Sequence, residues 1–280
     1  MIPDLVSVYI PTHNRKDLLS RAIHSVLKQT YKSVEIIVSD DGSKDGTSEL
    51  IEKLQSKYQN IIYVKSDIAQ GACFARNKAI NIANGEYITG LDDDDEFTED
   101  RIEKMVNALK NNLTISFVCT GIQIINSHGV GKGYSQPKLI TLPELLNANV
   151  IGNQILTKTA LLKQIHGFDE TLPAWQDYEC WIRFCDTHGQ GYNTGELSYI
   201  MHLEHDLPRI SGSKKVKTAM QLILEKHRTL LNNKNRKNMY INYCYHYDRE
   251  ISLKQLLNHL TMINIKRYLK LKIRKILNIR

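Results

Sequence analysis

The chain lacks the features that mark membrane-spanning, secreted and disulfide-stapled proteins. Among its 280 residues, no apolar run reaches the roughly 18 residues of a transmembrane helix. The opening stretch, MIPDLVSVYIPTHN, has no charged segment leading into a long apolar one, so it predicts no signal peptide. The five cysteines are odd in number and lack CxxC spacing, which predicts reduced thiols rather than disulfides or zinc. We therefore expect a cytosolic protein.

Acidic charge is missing from the C-terminal end. Of the 37 Lys and Arg residues, eight fall in 251–280, which has no Asp or Glu. Residues 1–250 therefore contain 29 basic and 30 acidic residues and are nearly neutral. A helix there separates apolar from basic side chains: Leu269, Ile273, Ile276 and Leu277 against Lys266, Arg267, Lys270 and Arg274. This pattern is typical of a helix on an anionic lipid surface. One alternative is a structural helix whose basic face is solvated. A nucleic-acid-binding patch is another, but the sequence has no recognisable nucleic-acid-binding module to accompany it.

The first hundred residues alternate between predicted strands and helices. LVSVYIP, VEIIVSD, IIYVKS and EYITGLD read as apolar strands, separated by segments with helical spacing. Such alternation predicts an α/β fold, a mostly parallel sheet with helices on both faces. Ligands bind beyond the carboxyl ends of such strands. The region 112–212 is less regular, with helices expected near 142–148, 158–166 and 177–188, and the chain is helical from about 214.

The fourth strand ends in GEYITGLDDDDEF, with carboxylates from Asp92 to Glu96. Adjacent like charges repel one another, but oxygen ligands of this kind suit Mg²⁺ or Mn²⁺ bridging to substrate phosphates. A solvated acidic turn is the alternative. A second acidic pair, Asp40 and Asp41, ends another strand and favours metal–diphosphate binding.

Four motifs together, SVYIPTHNR, VEIIVSDDGSKDGT, GACFARNKAI and GEYITGLDDDDEF, resemble the family 2 glycosyltransferases of GT-A fold. The resemblance covers about residues 5–210. It implies a GT-A domain over 1–212, followed by a helical region over 213–280 with the basic tail. It also implies inverting transfer of a sugar from a nucleotide diphosphate, generally with Mn²⁺ or Mg²⁺.

The resemblance implies roles for particular residues. Asp41 matches the uracil contact, Arg76 the diphosphate contact, and Asp92 a contact to ribose or metal-bound water. Asp94 matches the metal ligand and Asp95 the donor-sugar contact, whereas Asp93 occupies a variable position and is expected to be incidental. The full nucleotide-sugar set is Pro11, Thr12, His13, Arg15, Asp40, Asp41, Arg76, Asn77, Asp92, Asp95 and Arg209. Judged alone, Asp41-Gly42 is also an ordinary turn, and Arg76 could be a surface charge.

A single displacement needs one general base. In GFDETLPAWQDYECWIRF the resemblance assigns this role to Asp177, with Gln176 replacing the family's usual acidic residue. Helical spacing puts Asp177 on an inward stripe with Cys180, Trp181, Phe184 and Cys185, and turns Glu179, Arg183 and Asp186 outward. The alternative is that Asp177 is only a first-turn carboxylate, at a position where the helix dipole stabilises negative charge. Trp175 could stack on an acceptor sugar or belong to the core.

The segment MHLEHDLPRISGS should follow the catalytic helix as a loop. His202 or His205 could supply a metal ligand there, and Arg209 with Ser211 could hold the diphosphate. A merely polar loop is the alternative.

These features predict a hexosyltransferase on the inner face of a bacterial cytoplasmic membrane. The expected donor is UDP-galactose or UDP-glucose ahead of UDP-N-acetylhexosamine, and the acceptor a polyprenyl-diphosphate-linked sugar of O-antigen or capsule. Other acceptors (lipid A core, teichoic acid, protein) remain open. A sugar nucleotidylyltransferase would need a glycine-rich phosphate loop, and PTHNRKDLL has no glycine. A non-enzymatic membrane adaptor leaves the three polar strand ends unexplained.

Overall fold

The computed structural model describes residues 1–127, 129–133, 135–152, 154–204, 213–246 and 251–277. The strands are β1 Ile2–Thr12, β2 Val34–Asp40, β3 Ile61–Lys65, β4 Gly85–Gly90, β5 Glu96–Phe97, β6 Phe117–Asn126, β7 Gly129–Lys132, β8 Lys138–Ile140, β9 Leu156–Lys158 and β10 Gly191–His202. The helices are α1 Lys16–Leu27, α2 Thr47–Gln55, α3 Ala72–Ile82, α4 Arg101–Lys110, α5 Leu142–Leu145, α6 Thr159–Gln164, α7 Gln176–His188, α8 Ser213–Lys226, α9 Asn233–His246, α10 Leu253–Asn258 and α11 Met262–Leu277.

The strands form one sheet in the order β3-β2-β1-β4-β9-β6-β10-β5, with β7 beside β6 and β8 beside β10. The first four strands run parallel, as their alternation with helices predicts. The short strand β9 is antiparallel to both β4 and β6, so it joins the parallel half to the second half. The α/β fold class predicted from the sequence is confirmed.

Helices cover both faces of the sheet. On one face, α1 buries Leu19, Ile23 and Val26, whose spacing of three and four residues forms a single apolar stripe. On the other face, α3, α6 and α7 share a hydrophobic core with α8 and α9. Val216 and Ile241 of those last two helices are fully buried in this core. The C-terminal helices are therefore joined to the sheet domain by apolar packing, and the division at residue 212 stays a prediction.

The carboxyl ends of β1, β2 and β4 meet at one edge of the sheet. Thr12 is paired with Asp40, and Tyr9 with Gly90. A Cβ atom on Gly90 would collide with the Tyr9 ring and with Oε1 of Gln154. Glycine at this position lets the strand approach its neighbours closely, which brings the four aspartates that follow to the same edge.

Two further expectations concern cysteines and membrane spans. All five cysteines are free, as their spacing predicts, and all five are buried. Among the residues that the structure describes, no helix combines the length and apolar character needed to cross a membrane.

The basic tail is only partly free of the globule. Asn264 of α11 is fully buried, and the Arg267 guanidinium donates a hydrogen bond to the Asn238 carbonyl of α9 at 3.3 Å. In contrast, Leu269 and Ile273 keep 52% and 54% of their surface exposed. The side chains of Arg274, Ile276 and Leu277 lie outside those that the structure describes. Hence α11 packs through Asn264, Arg267 and the partly buried Tyr268, and the described apolar residues of its predicted stripe face solvent.

Candidate active site

The acidic end of β4 is a folded network rather than a solvated turn. Asp93 and Asp95 are only 6% and 2% exposed. One carboxylate oxygen of Asp95 accepts a hydrogen bond from the Tyr199 hydroxyl at 2.8 Å, and the other accepts one from the His202 backbone N–H at 3.0 Å. Burial raises the pKa of Asp95 well above its ordinary value. Both oxygens thus support the strand end, and the predicted sugar contact of Asp95 would have to share them and stays a prediction.

Asp93 and Asp94 converge on one cation. A single guanidinium nitrogen of Arg15 lies 3.1 Å from Oδ1 of Asp93 and 3.0 Å from Oδ2 of Asp94. The Thr12 hydroxyl donates to the second oxygen of Asp93 at 2.8 Å. Burial acts to lower the pKa of Arg15, but the two carboxylates outweigh it and raise that pKa. Asp93 is therefore part of the network, and the expectation that it is incidental is wrong.

Arg76 is buried beside Asp92, not exposed on a helix surface. Its guanidinium lies 3.0 Å from Oδ1 of Asp92 and stacks over the Phe168 ring at 5.2 Å. Burial acts to lower the pKa of Arg76, but the Asp92 carboxylate outweighs it and raises that pKa. The Gln154 amide approaches the same Asp92 oxygen at 3.4 Å and accepts a hydrogen bond from Tyr9 at 2.7 Å.

The neighbouring Asn77 does not share this position. Its amide nitrogen donates to the Phe168 carbonyl and to the Glu170 carboxylate, both at 2.8 Å, and its amide oxygen accepts from the Phe168 N–H. Asn77 thus fastens the 168–170 segment to α3. Its predicted approach to the diphosphate would have to share this amide and stays a prediction.

The acidic pair at the end of β2 also bonds within the protein. Asp40 is fully buried and accepts hydrogen bonds from the Ser43 N–H at 2.8 Å and the Tyr63 hydroxyl at 2.6 Å. Asp41 accepts from the backbone N–H groups of Gln70 and Gly71 at 2.8 and 2.7 Å. Asp40 therefore ties the end of β2 to Ser43 and Tyr63, its nucleotide contact staying a prediction, and Asp41 holds the start of α3 against β2. Its predicted uracil contact would have to share these oxygens and stays a prediction.

Two further predicted nucleotide residues lie near this edge. Pro11 is paired with Ser39 in the sheet and is buried. His13 is exposed, and its Nδ1 lies 2.7 Å from the Asp41 carbonyl. Their contacts to a nucleotide remain predictions.

Asp177 lies in the first turn of α7, partly buried, with its carboxylate facing the sheet edge. The Asn149 amide nitrogen donates to its Oδ2 at 3.2 Å. Burial raises the pKa of Asp177 to about 6, and Arg76 and Asp92 are the charged groups close enough to act on it. A carboxylate of this pKa can accept a proton near neutral pH. The fold thus brings Asp177 close to the Asp92–Arg76 pair, although these residues are far apart in the sequence.

Trp175 precedes α7 in a left-handed conformation, with φ at 54°. Its ring meets Tyr178 edge to face at 5.8 Å and packs on the main core while staying partly exposed. The predicted acceptor contact of Trp175 stays a prediction.

One expectation about α7 is wrong. Glu179 does not face away but is fully buried, with Arg183 at 2.8 Å, Lys226 at 2.9 Å and His227 at 3.1 Å. Burial acts to raise its pKa, but the hydrogen bonds from His227 and Arg183 outweigh it and lower the pKa to about 2. The spacing within α7 could not indicate this, because the partners lie elsewhere in the chain: Lys226 ends α8 and His227 follows it. Helix α8 packs on the face of α7 that was predicted to be exposed to solvent.

The His202 ring lies between two carboxylates, Glu96 and Glu204. Its ring nitrogens lie 2.9 Å from Glu96 and 2.7 Å from Glu204. The other residues predicted in this loop, His205, Arg209 and Ser211, lie outside the described residues. Among those that are described, no group of three or more metal-ligating side chains is assembled.

Three further residues at this site, Asn149, Gln154 and Tyr199, are not predicted by the motifs. Each contacts a predicted site residue through a hydrogen bond from a distant part of the chain. None stands in a motif, so no local signal could have found them.

Residues 7–166 match the sequence family described as Glycosyl transferase family 2. The chain belongs to this family. It is therefore a glycosyltransferase, and the resemblance that its four motifs predict is confirmed.

The relatives agree with this assignment. A glycosyl transferase of Escherichia coli K12 named for colanic acid biosynthesis, WcaA, is 32% identical over 273 residues, covering 94% of this chain and 95% of WcaA. The E. coli UDP-Glc:alpha-D-GlcNAc-diphosphoundecaprenol beta-1,3-glucosyltransferase WfgD is 34% identical over 181 residues, covering 64% of this chain and 68% of WfgD.

Solved structures support the fold. Staphylococcus aureus TarS 1–349 in complex with UDP-GlcNAc superimposes on the glycosyltransferase with a TM-score of 0.72 at 18% identity, covering 95% of this chain and 79% of TarS. At this identity the likeness supports the GT-A fold alone.

Proposed function

We propose that this glycosyltransferase moves a hexose, with inversion, from a UDP-sugar to a polyprenyl-diphosphate-linked sugar in bacterial surface polysaccharide synthesis. The observation that carries the proposal is the convergence of Asp177 with the Asp92–Arg76 pair at one edge of the sheet. A carboxylate with a raised pKa next to a cation that suits a diphosphate supports the proposal.

The chemistry is a single displacement. The acceptor hydroxyl oxygen bonds to the anomeric carbon as the bond from that carbon to the diphosphate oxygen breaks. Asp177 takes the hydroxyl proton, and UDP leaves from the opposite face with the bonding electron pair. One carboxylate suffices, unlike the pair that a glycosidase requires.

The guanidinium groups of Arg76 and Arg15 are suited to hold the donor phosphates, since planar guanidinium pairs well with phosphate oxygens. Both are held by carboxylates at the carboxyl edge of the sheet, where nucleotides bind in such folds.

The residues present also fit Mn²⁺ or Mg²⁺. Oxygens of Asp93 and Asp94 already converge on one cationic nitrogen, and hard divalent ions bind through one or two carboxylates plus substrate phosphates. Asp94 would hold the ion together with the donor, with His205 as a further candidate. When bound, it would stabilise negative charge on the leaving diphosphate.

The acceptor class and membrane attachment rest on two supports. WfgD is named for transfer from UDP-Glc to a GlcNAc-diphosphoundecaprenol acceptor, which favours glucose and a lipid diphosphate here. The exposed side of α11 combines Met262, Leu269 and Ile273 with exposed Lys266 and Lys270. Apolar side chains beside lysines match an anionic bilayer surface, such as the inner face of the cytoplasmic membrane.

The decisive experiment is a donor screen. The protein is incubated with UDP-glucose, UDP-galactose or UDP-N-acetylglucosamine and a synthetic lipid-diphosphate-linked N-acetylhexosamine. UDP release and an NMR assignment of a product of inverted anomeric configuration support the proposal. Product with retained configuration, or full activity in excess EDTA, contradicts the mechanism or the metal role respectively. Transfer to another acceptor class alone contradicts the acceptor assignment.

A further inference from the structure

A tight turn over residues 149–152 faces the first turn of α7. The Asn149 amide oxygen accepts hydrogen bonds from the backbone N–H groups of Ile151 and Gly152, each at 3.1 Å. The Trp181 indole N–H of α7 donates to the Gly152 carbonyl at 3.3 Å. The turn is therefore tied both to itself and to the helix that carries Asp177.

Helix α9 holds the residue pair that precedes this turn. The Asn147 amide oxygen accepts hydrogen bonds from the amide nitrogens of Asn238 and Asn235 on α9, at 2.6 and 3.1 Å. Asn238 is fully buried and also accepts from Thr261, which precedes α11, at 3.0 Å. Residues 147–152 are thus fixed between α7 and α9.

These bonds determine which end of the Asn149 amide meets Asp177. Because its oxygen serves two backbone N–H groups, its nitrogen is left to donate, which it does to Asp177 Oδ2 at 3.2 Å and to the Gly152 carbonyl at 3.1 Å. The reversed amide would set its NH₂ group against two N–H donors and its oxygen against a carboxylate, losing all four interactions.

We propose that Asn149 is a positioning residue for the catalytic base: its amide orients the Asp177 carboxylate and favours the ionised form that accepts the acceptor proton. This rests on the proposed function, in which Asp177 is that base. A hydrogen bond donated to a carboxylate stabilises the charged form, so its loss makes the base harder to ionise.

Other titratable groups face Asp177 and stay in place when Asn149 is changed. They are Arg76 and Cys73 of α3, Asp92 after β4, Tyr9 of β1, and Cys180 on α7 itself. Of these, Arg76 favours the ionised form and Asp92 opposes it. A change at residue 149 therefore alters one contribution against a constant background.

The test is the pH profile of kcat/KM for Asn149→Asp. Aspartate keeps the side-chain oxygen that caps the turn but turns the donor into a second carboxylate facing Asp177. We expect the acidic limb of the profile to move upward by about one pH unit or more, since carboxylates that share a site raise each other's pKa. Activity at high pH should recover toward the wild-type value. An unmoved acidic limb overturns the proposal.

Asn112→Asp is the matched control. Asn112 caps a turn in the same way, its amide oxygen accepting from the Thr114 N–H at 3.1 Å, but it lies before β6 at the opposite edge of the sheet. Its profile should match wild type. An equal shift in this variant would mean that added charge anywhere moves the limb, which overturns the proposal.

A second variant guards against misfolding. Asn149→Ser can still cap the turn, and its hydroxyl is too short to reach Asp177. A smaller upward shift with unchanged KM for the donor supports the proposal, and an unmoved limb overturns it. Asp177→Asn is measured in parallel. Wild-type turnover in Asp177→Asn refutes the assignment of Asp177 as the base. If Asp177→Asn loses turnover but the acidic limbs of the two Asn149 variants do not move, only the positioning role of Asn149 is refuted.

Discussion

Two carboxylates two residues apart in sequence, Asp177 and Glu179, occupy opposite environments on the two sides of α7, because two residues span about half a helical turn. Asp177 faces the sheet edge, where burial raises its pKa to about 6. Glu179 faces α8, where three cationic or hydrogen-bonding side chains surround it and lower its pKa to about 2. One side of the helix retains a carboxylate that can take a proton, and the other fixes a carboxylate as a permanent anion.

The difference favours Asp177 over Glu179 for the proposed catalytic role. A general base needs a pKa near the working pH, and the raised pKa of Asp177 meets that need. The lowered pKa of Glu179 does not, and its ion pairs tie α7 to α8. The same Lys226 also pairs with Asp169, whose pKa is lowered to about 2 against the effect of burial. Lys226 thus engages both Asp169 and Glu179, which favours Asp177 over them as the proposed base, and substitutions on either side of α7 can test this difference.

The largest effect is expected at Asp177. Asp177→Asn keeps the shape of the side chain but removes the proton acceptor, so turnover should fall by roughly 10²-fold or more while donor binding stays nearly intact. Steady-state kinetics and calorimetric titration with UDP-sugar measure the two quantities. Asp186→Asn, an exposed change on the same helix, is the control and should behave as wild type. Wild-type turnover in Asp177→Asn would break the comparison.

The pH dependence should follow the same carboxylate. Because the base must be ionised, kcat/KM should fall about tenfold per pH unit below an acidic limb near pH 6, the raised pKa of Asp177. Glu179→Gln should leave this limb in place, since a group with a pKa of about 2 does not titrate there. A limb near pH 4 in the wild-type enzyme would show that Asp177 is not the titrating base.

Glu179→Gln should instead cost stability. The change leaves Lys226, Arg183 and His227 without their shared anion. Breaking such a pair costs several kcal/mol when deeply buried, and about 2 kcal/mol is expected here because the lysine and arginine are partly exposed. Thermal unfolding should begin a few degrees lower, with turnover below that temperature changed by less than about threefold. A turnover loss as large as that of Asp177→Asn would erase the distinction between the two faces.

The smallest effect on chemistry is expected from the tail, which touches neither carboxylate. Lys266→Gln with Lys270→Gln should weaken flotation with anionic vesicles, since each basic residue near the bilayer contributes about 1 kcal/mol, and should leave transfer to a short, water-soluble acceptor unchanged. Arg267 is spared because it anchors α11 to α9.

Lys215→Gln with Lys217→Gln on α8 carries the same change of charge and is the control. If both pairs bind anionic vesicles like wild type at low salt, the attachment of α11 to a membrane surface is contradicted.

Much of the site could be predicted because its chemistry stands in contiguous motifs. The strand ends at Asp41 and Asp92 to Asp95 are local, and the parallel alternation brings them to one edge. The partners of those side chains could not be predicted. Tyr199 reaches Asp95 and Gln154 reaches Asp92 from distant parts of the chain. Only the packing of the second half of the sheet therefore determined that Asp95 accepts a hydrogen bond from Tyr199.

The sequence by itself determined the α/β fold, the family and the position of Asp177 at the start of a helix. Those properties depend on hydrophobic period and on motifs, which are short-range information. Only the tertiary structure decided which groups Asn77 and Asp40 bond to, that Arg15 lies between Asp93 and Asp94, and that Glu179 is buried. Each depends on which elements meet in space, and burial and charge partners across such contacts determine whether a carboxylate titrates or remains a fixed ion.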